Sequence, residues 1–206
     1  MQAENGTDVK QRMYFVGALL LVVIDQVTKL LVKGFDVAGI SHQGMYLGES
    51  IPVLGDVVRL TFVENPGMAF GISFGAAKAL LTLATIAIAS FLAWYLSKLH
   101  VAPRAASIAI MLVFAGAVGN LIDRMFYGVL YGEAPLLYGK VVDFVQVDIP
   151  DVTWFGEVYT HWPVFNVADS CVSIGVVMLV LLSSKMPGLS ELRPAQPTQG
   201  ADSGDL

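Results

Sequence analysis

The sequence predicts a membrane all-α fold with a small β element: four transmembrane helices and a small extracytoplasmic β-sheet. Three observations lead there. Of 206 residues, 55% are hydrophobic and only 14% are charged, against about 25% charged in an average soluble domain. Mean hydropathy is +0.67. Four apolar stretches, 14–32, 77–96, 105–122 and 165–184, each approach the ~20 residues needed to cross a hydrocarbon core.

The first stretch has the length and basic flank of a signal peptide, with Lys10 and Arg12 ahead of it. No small-x-small cleavage site follows, and the run continues through Asp25 and Lys29 into Leu30-Leu31-Val32. It therefore reads as an uncleaved first span. The connection 34–76 contains 57–63, where Leu60 and Phe62 alternate with Arg59 and Thr61. That alternation predicts a half-exposed strand. A short link bearing Lys98 and Arg104 joins spans two and three. The connection 123–164 contains a second strand-like run, 141–147, while Asp148 and Asp151 beside Pro150 read as solvated loop acids. Residues 1–186 form the membrane domain. The Pro-, Gly- and Gln-bearing segment 187–206 reads as a disordered cytoplasmic tail.

Basic residues set the orientation. Lys10, Arg12, Lys98, Arg104, Lys185 and Arg193 fall together if four spans put both termini in the cytoplasm. The segments 34–76 and 123–164 then lie outside. The formal net charge of −5 and the lack of a basic stripe argue against nucleic acid as a partner. The single cysteine, Cys171, excludes an intrachain disulfide and reads as a small buried hydrophobe.

The polar residues at the outer ends of the spans are the candidate chemistry, because a carboxylate deep in a membrane helix costs about 2.5–3.5 kcal/mol. Asp25 and Lys29 share a helix face. They form either a simple pair with the lysine reaching outward or a support for a site. Asn65 either starts the Pro66-Gly67 turn or points its amide at a site, and Gly67 lets backbone approach a ligand closely. Asn120, Asp123 and Arg124 fall on one side at i, i+3 and i+4, able to hydrogen-bond a peptide backbone and hold a carboxylate. The alternative for Arg124 is a lipid phosphate. Asn166 and Asp169 face one way at the start of the fourth span, where Asp169 could be only a helix-end charge. Asp143 is either a polar strand residue or one of a pair of carboxylates. Two carboxylates that meet can share one proton and activate water.

Other readings are weaker. Gly71-Ile72-Ser73-Phe74-Gly75 matches a serine-hydrolase pentapeptide without its context. His42, His100 and His161 are scattered and form no metalloprotease motif. An ion-coupled carrier using Asp25, Asp123 and Asp169 would need a polar path across the membrane. The polar groups instead cluster at one side, and no internal repeat appears.

Taken together, Asp25, Asn65-Pro66-Gly67-Met68-Ala69-Phe70, Gly119-Asn120-Leu121-Ile122-Asp123-Arg124, Val141-Val142-Asp143-Phe144 and Phe165-Asn166-Val167-Ala168-Asp169-Ser170 resemble the lipoprotein signal peptidase (signal peptidase II) family. The resemblance spans nearly the whole chain before the tail. It implies an aspartic endopeptidase of the bacterial inner membrane with its site near the extracytoplasmic face. Such an enzyme removes the signal peptide from diacylglyceryl-modified prolipoproteins by cutting before the lipidated cysteine. It further implies Asp143 and Asp169 as the catalytic pair, Asn65, Gly67, Asn120, Arg124 and Asn166 lining the site, Asp25 supporting it and Asp123 as a structural partner. The implied partners are the prolipoprotein and membrane lipids. No cofactor or metal is implied, and a monomer is the expectation. Two features depart from the family pattern: Met68 stands where a small residue is usual, and the stretches 125–142 and 147–162 are long.

Overall fold

The computed structural model describes residues 2–67, 75–99, 103–154 and 157–185. Met68, Ala69, Phe70, Ser73, His100 and the 187–206 tail lie outside the described residues. Helix α1 is Gln2–Lys33, α2 is Gly75–Lys98 and α3 is Arg104–Ile122. Helix α3 runs on through a π turn, Asp123–Tyr127, and one α turn, Gly128–Leu130. Among the described residues, Gln11–Lys33, Lys78–Lys98 and Arg104–Leu130 are long and apolar enough to cross a membrane. Their outer faces leave Leu19, Leu20, Val23, Leu80, Leu83 and Phe91 exposed, as a lipid-facing surface requires.

The fourth apolar stretch folds differently from the expected span 165–184. Helix α4 covers only Val167–Leu181, 15 residues, or about 22 Å at 1.5 Å per residue. Two local causes shorten it. Phe165 is drawn into an antiparallel bridge with Val145. Asn166 has an extended backbone (φ −127, ψ −174) and caps the helix that follows. A residue in that conformation ends helix propagation toward the N-terminus. At the other end a 3-10 turn, Ser183–Lys185, prolongs the segment.

The strands form two sheets rather than the one expected. β1 (Gly34–Val37) and β2 (Ile40–Gln43) make a hairpin. Its two-residue turn puts Ala38 (φ 52) and Gly39 (φ 82) in the left-handed region, which matches the twist of the strands it joins. The second sheet is antiparallel, in the order β3 (Ser50–Leu54), β4 (Val58–Asn65), β5 (Val141–Trp154) and β6 (Glu157–His161). The two predicted strands are thus neighbours, pairing Val63 with Asp143 and Asn65 with Val141. Strand β5 is twice as long as the run that predicted it. Asp148 and Asp151 are exposed, as expected, but belong to a strand rather than a loop. Pro150 sits where the β5–β6 register shifts, the place in a sheet where a missing N–H is tolerated.

Val32, Phe62, Tyr127, Val142 and Phe144 are buried together. This cluster joins the end of α1, the sheet and the end of α3, and so fixes the sheet above the helices. Helices α3 and α4 make the most extensive helix contact, and small residues let them approach. A Cβ added at Gly116 would lie 2.3 Å from the Ala168 carbonyl oxygen, and one at Gly175 would lie 2.8 Å from that of Ala109. Backbone cannot yield as a side-chain tip can. Gly116→Ala is therefore expected to force α4 away from α3, costing about 1–3 kcal/mol. Thermal unfolding in detergent checks this; an unchanged midpoint would contradict the close approach.

Candidate active site

Five elements bring their polar residues to one place. Asp25 and Lys29 lie one turn apart on α1, and both are fully buried. Lys29 does not reach outward. Its Nζ donates to Asp25 Oδ2 at 2.9 Å, Asp123 Oδ2 at 2.8 Å and Asn120 Oδ1 at 2.9 Å. An ammonium has three N–H donors, and each has a different partner. Asp25 uses its other oxygen, Oδ1, to accept the Ala168 N–H at 2.9 Å, which ties α1 to the first turn of α4. Asp123 accepts the Val142 N–H at 3.1 Å and a Gln26 amide N–H at 2.9 Å. Gln26 in turn accepts from the Tyr127 hydroxyl at 3.1 Å.

Above this buried charge cluster sit the two carboxylates. Asn120 turns its oxygen to Lys29, so its amide nitrogen faces Asp169 and donates to Oδ1 at 2.8 Å. Asn166 Nδ2 lies 2.7 Å from Asp143 Oδ1, 3.1 Å from Asn120 Oδ1 and 3.2 Å from the Val142 carbonyl. The Asn166 oxygen caps α4 by accepting the Asp169 N–H at 2.8 Å, while Asp169 Oδ2 accepts the Asn166 N–H at 3.2 Å. This reciprocal capping box holds the Asp169 carboxylate at the helix start. From the sheet, Asn65 Nδ2 donates to Asp143 Oδ2 at 3.1 Å, and the Asn65 oxygen accepts the Gly67 N–H at 2.8 Å. Asp143 and Asp169 are therefore joined through Asn166 and Asn120, whose oxygen is oriented by Lys29.

Both aspartates line a cavity of about 570 Å³, together with Asn65, Trp162, Phe165 and Ser173. Burial pushes the Asp143 carboxyl up to about 7, and the charge of Asp169 adds to the rise. Hydrogen bonds from Asn65 and Asn166, with the more distant charge of Lys29, oppose it. A raised carboxyl beside a second carboxylate is the arrangement in which one proton is shared. Such a pair can supply a base and an acid together.

The predicted residues Asp25, Asn65, Asn120, Asp123, Asp143, Asn166 and Asp169 all fall in this one network. Gly67 adopts φ +78, and a Cβ there would lie 3.0 Å from the Leu81 side chain and 3.7 Å from Arg124 Nε. Arg124 follows Asp123 in the π turn, with its Nε on the side of Gly67. Arg124 makes no hydrogen bond to either aspartate among the described residues, and its buried Nε has no partner. Of the three residues Asn120, Asp123 and Arg124, Asn120 is the one that donates to a carboxylate of the pair, at Asp169. Lys29 and Gln26 were missed as part of the site. The signal for Lys29 was present in its spacing from Asp25, but its second and third partners, Asn120 and Asp123, come from α3 and the π turn that continues it.

Residues 17–185 match the profile of the family described as signal peptidase (SPase) II. A protein of Pelodictyon phaeoclathratiforme described as a lipoprotein signal peptidase is 33% identical over 180 residues, covering 85% of this chain and 92% of that one. A protein of the same description from Chlorobaculum tepidum is 34% identical over 174 residues, covering 84% and 95%. A solved structure described as a bacterial membrane enzyme aligns with TM-score 0.60 and 30% identity, covering 85% of this chain and 94% of the other.

Removing the central cation should be costly, because it strands two buried carboxylates. Lys29→Met is expected to lose about 3–5 kcal/mol of stability and most activity. Thermal unfolding and turnover of the purified variant check this; wild-type values for both would contradict the role of Lys29.

Proposed function

The chain belongs to the signal peptidase II family, and from that premise we propose that Asp143 and Asp169 are its catalytic pair. It is an endopeptidase that removes the signal peptide from prolipoproteins. The observation that carries the site assignment is the hydrogen-bonded path from Asp143 through Asn166 and Asn120 to Asp169, at the wall of one cavity.

In this reading a water lies between the two carboxylates. Asp169, ionised, takes a proton from it. Asp143, protonated, donates to the scissile carbonyl as the tetrahedral intermediate forms, and a proton then passes to the leaving amine. The resting proton is given to Asp143 because burial and the neighbouring negative charge raise that group. The free Nε–H of Arg124 is a donor for the substrate backbone, and positioning of this kind contributes to the barrier without chemistry of its own. The substrate is a diacylglyceryl-modified prolipoprotein, cut before its lipidated cysteine, with its acyl chains in the bilayer beside the site.

The four-span arrangement is also part of the proposal. The apolar side chains Ile174, Val177, Val180 and Leu181 on α4 are exposed, which supports a lipid-facing fourth span despite its length. Both termini then lie in the cytoplasm of a bacterial inner membrane, and the sheets and the site lie at the extracytoplasmic face.

Cleavage of a purified diacylglyceryl-prolipoprotein tests the assignment. Asp143→Asn and Asp169→Asn are each expected to stay folded and to lose about 10³-fold or more in kcat; normal cutting by either removes it from the pair. The pH dependence has a definite sign. Below about 7 Asp143 keeps its proton, while above it Asp143 ionises and no acid remains. Wild-type kcat is therefore expected to fall as pH rises through about 7, and a profile flat from 6 to about 9 would contradict the shared proton.

A further inference from the structure

Behind the dyad lies a second charge cluster that the peptidase chemistry leaves unused. Glu64 and Lys33 are almost fully buried as side chains and are paired through Glu64 Oε1. Glu64 Oε2 accepts from Lys140 Nζ at 2.6 Å. Lys33 also meets Glu133 Oε1 at 2.6 Å and lies 4.3 Å over the Tyr131 ring. The Tyr131 hydroxyl donates to the Gly34 carbonyl at 2.7 Å. Three parts of the chain thus gather at the end of β4: the end of α1, the loop after α3 and the entry to β5. Glu133 and Lys140 both belong to the long stretch 125–142.

The position of this cluster in the sheet gives it a consequence. Side chains alternate along a strand. Asn65, the last residue of β4, faces Asp143, so Glu64 faces the opposite side, toward Lys33. The β4–β5 ladder ends at the Asn65–Val141 pair, and the chain turns away at Pro66. Nothing in the ladder beyond Asn65 holds it. The Lys33–Glu64 pair at the centre of the cluster is buried, while Lys140 and Glu133 close it from the partly exposed side; a buried pair adds little net stability compared with apolar packing, but it fixes geometry. Glu64 is held ionised: burial would raise it, yet the hydrogen bonds from Lys140 and Lys33 bring it below its ordinary value.

We infer that the Lys33–Glu64–Lys140–Glu133 clamp is a positioning device, which fixes the end of β4 from behind so that the Asn65 amide stays on Asp143. The inference rests on the dyad reading and names Glu64 and Lys140 as positioning residues acting through Asn65. The charged groups around Asp143 are Asp169 on α4, Lys29 on α1 and Arg124 after α3. Those around Glu64 are Lys33 on α1, Lys140 before β5, Glu133 after α3 and Lys78 on α2.

A double-mutant cycle on the full-length protein in detergent, with a diacylglyceryl-prolipoprotein as substrate, tests it. Glu64→Gln is expected to lower kcat about tenfold and leave KM within about twofold. In an Asn65→Ala background it is expected to lower kcat no further, because a residue that acts through Asn65 has nothing left to position. Lys140→Met should behave like Glu64→Gln, and Lys140→Arg should restore most of the loss. Asn65 stabilises the ionised form of Asp143, so loosening it should also move the alkaline limb of kcat upward, in the direction Asn65→Ala moves it. Asp56→Asn, at an exposed pair with Arg59, is the control. Wild-type kcat in Glu64→Gln and Lys140→Met, or a full tenfold loss repeated on Asn65→Ala, would overturn the inference. Asp143→Asn in the same series separates the two readings. If it is inactive while the clamp variants are unaffected, only the clamp fails; if it cuts normally, the dyad reading fails. Should Glu64→Gln not fold, Lys140→Met carries the same cycle.

Discussion

The ammonium of Lys29, sealed from water, is the group on which the site depends. Its three donors are shared among Asp25, Asp123 and Asn120. Two carboxylates against one cation would be an unfavourable count if those carboxylates had no other partners. Each has others: Asp25 receives the Ala168 N–H, Asp123 receives the Val142 N–H, and the Gln26 amide donates to both. The charge cluster is therefore also the joint between α1, α3, α4 and β5. Removing one member leaves a buried charge without its counterpart, the costly case for ion pairs away from water.

The third donor does something different. It sets which end of the Asn120 amide faces inward, and thereby which end faces Asp169. Asn166 continues the same logic toward Asp143 while also capping α4. An asparagine offers an acceptor at one end and donors at the other, so a chain of two transmits orientation without carrying charge. Among the described residues the two carboxylates receive amide donors and no ion pair, and burial beside Asp169 raises Asp143 to about 7. A lysine in direct contact with it would have the opposite effect, favouring the ionised form.

Much of this was legible in the chain. The alternation of Leu60 and Phe62 with Arg59 and Thr61 marks a strand, and β4 lies there. Polar residues at the ends of apolar runs mark the site, because such groups are costly in a membrane without a use. What was not legible involved distant or special local geometry. The partner of Lys29 in α3, Asn120, is 91 residues away, so spacing alone left a simple pair with Asp25 and a support for a site both open. The π turn at Asp123–Tyr127 was not legible either, since no residue in it announces a π turn. Asn166 read as a site residue within a long span, whereas its capping geometry also ends the helix and shortens α4. Nothing in the spacing of Glu64, Lys33, Lys140 and Glu133 relates them to one another. The antiparallel pairing of β4 with β5 brings Glu64 to Lys140, and the packing of α1 and the loop after α3 adds Lys33 and Glu133.

The central claim is that Asp143 and Asp169 share one proton, held by Asp143. Infrared difference spectroscopy of the purified protein across a pH titration tests it most directly, by following the carbonyl band of protonated carboxyl groups. The account predicts a band present at acid pH that is lost as pH rises through about 7 and is absent from Asp143→Asn. A titrating band that persists in Asp143→Asn, or no titrating carboxyl in that range, would contradict it.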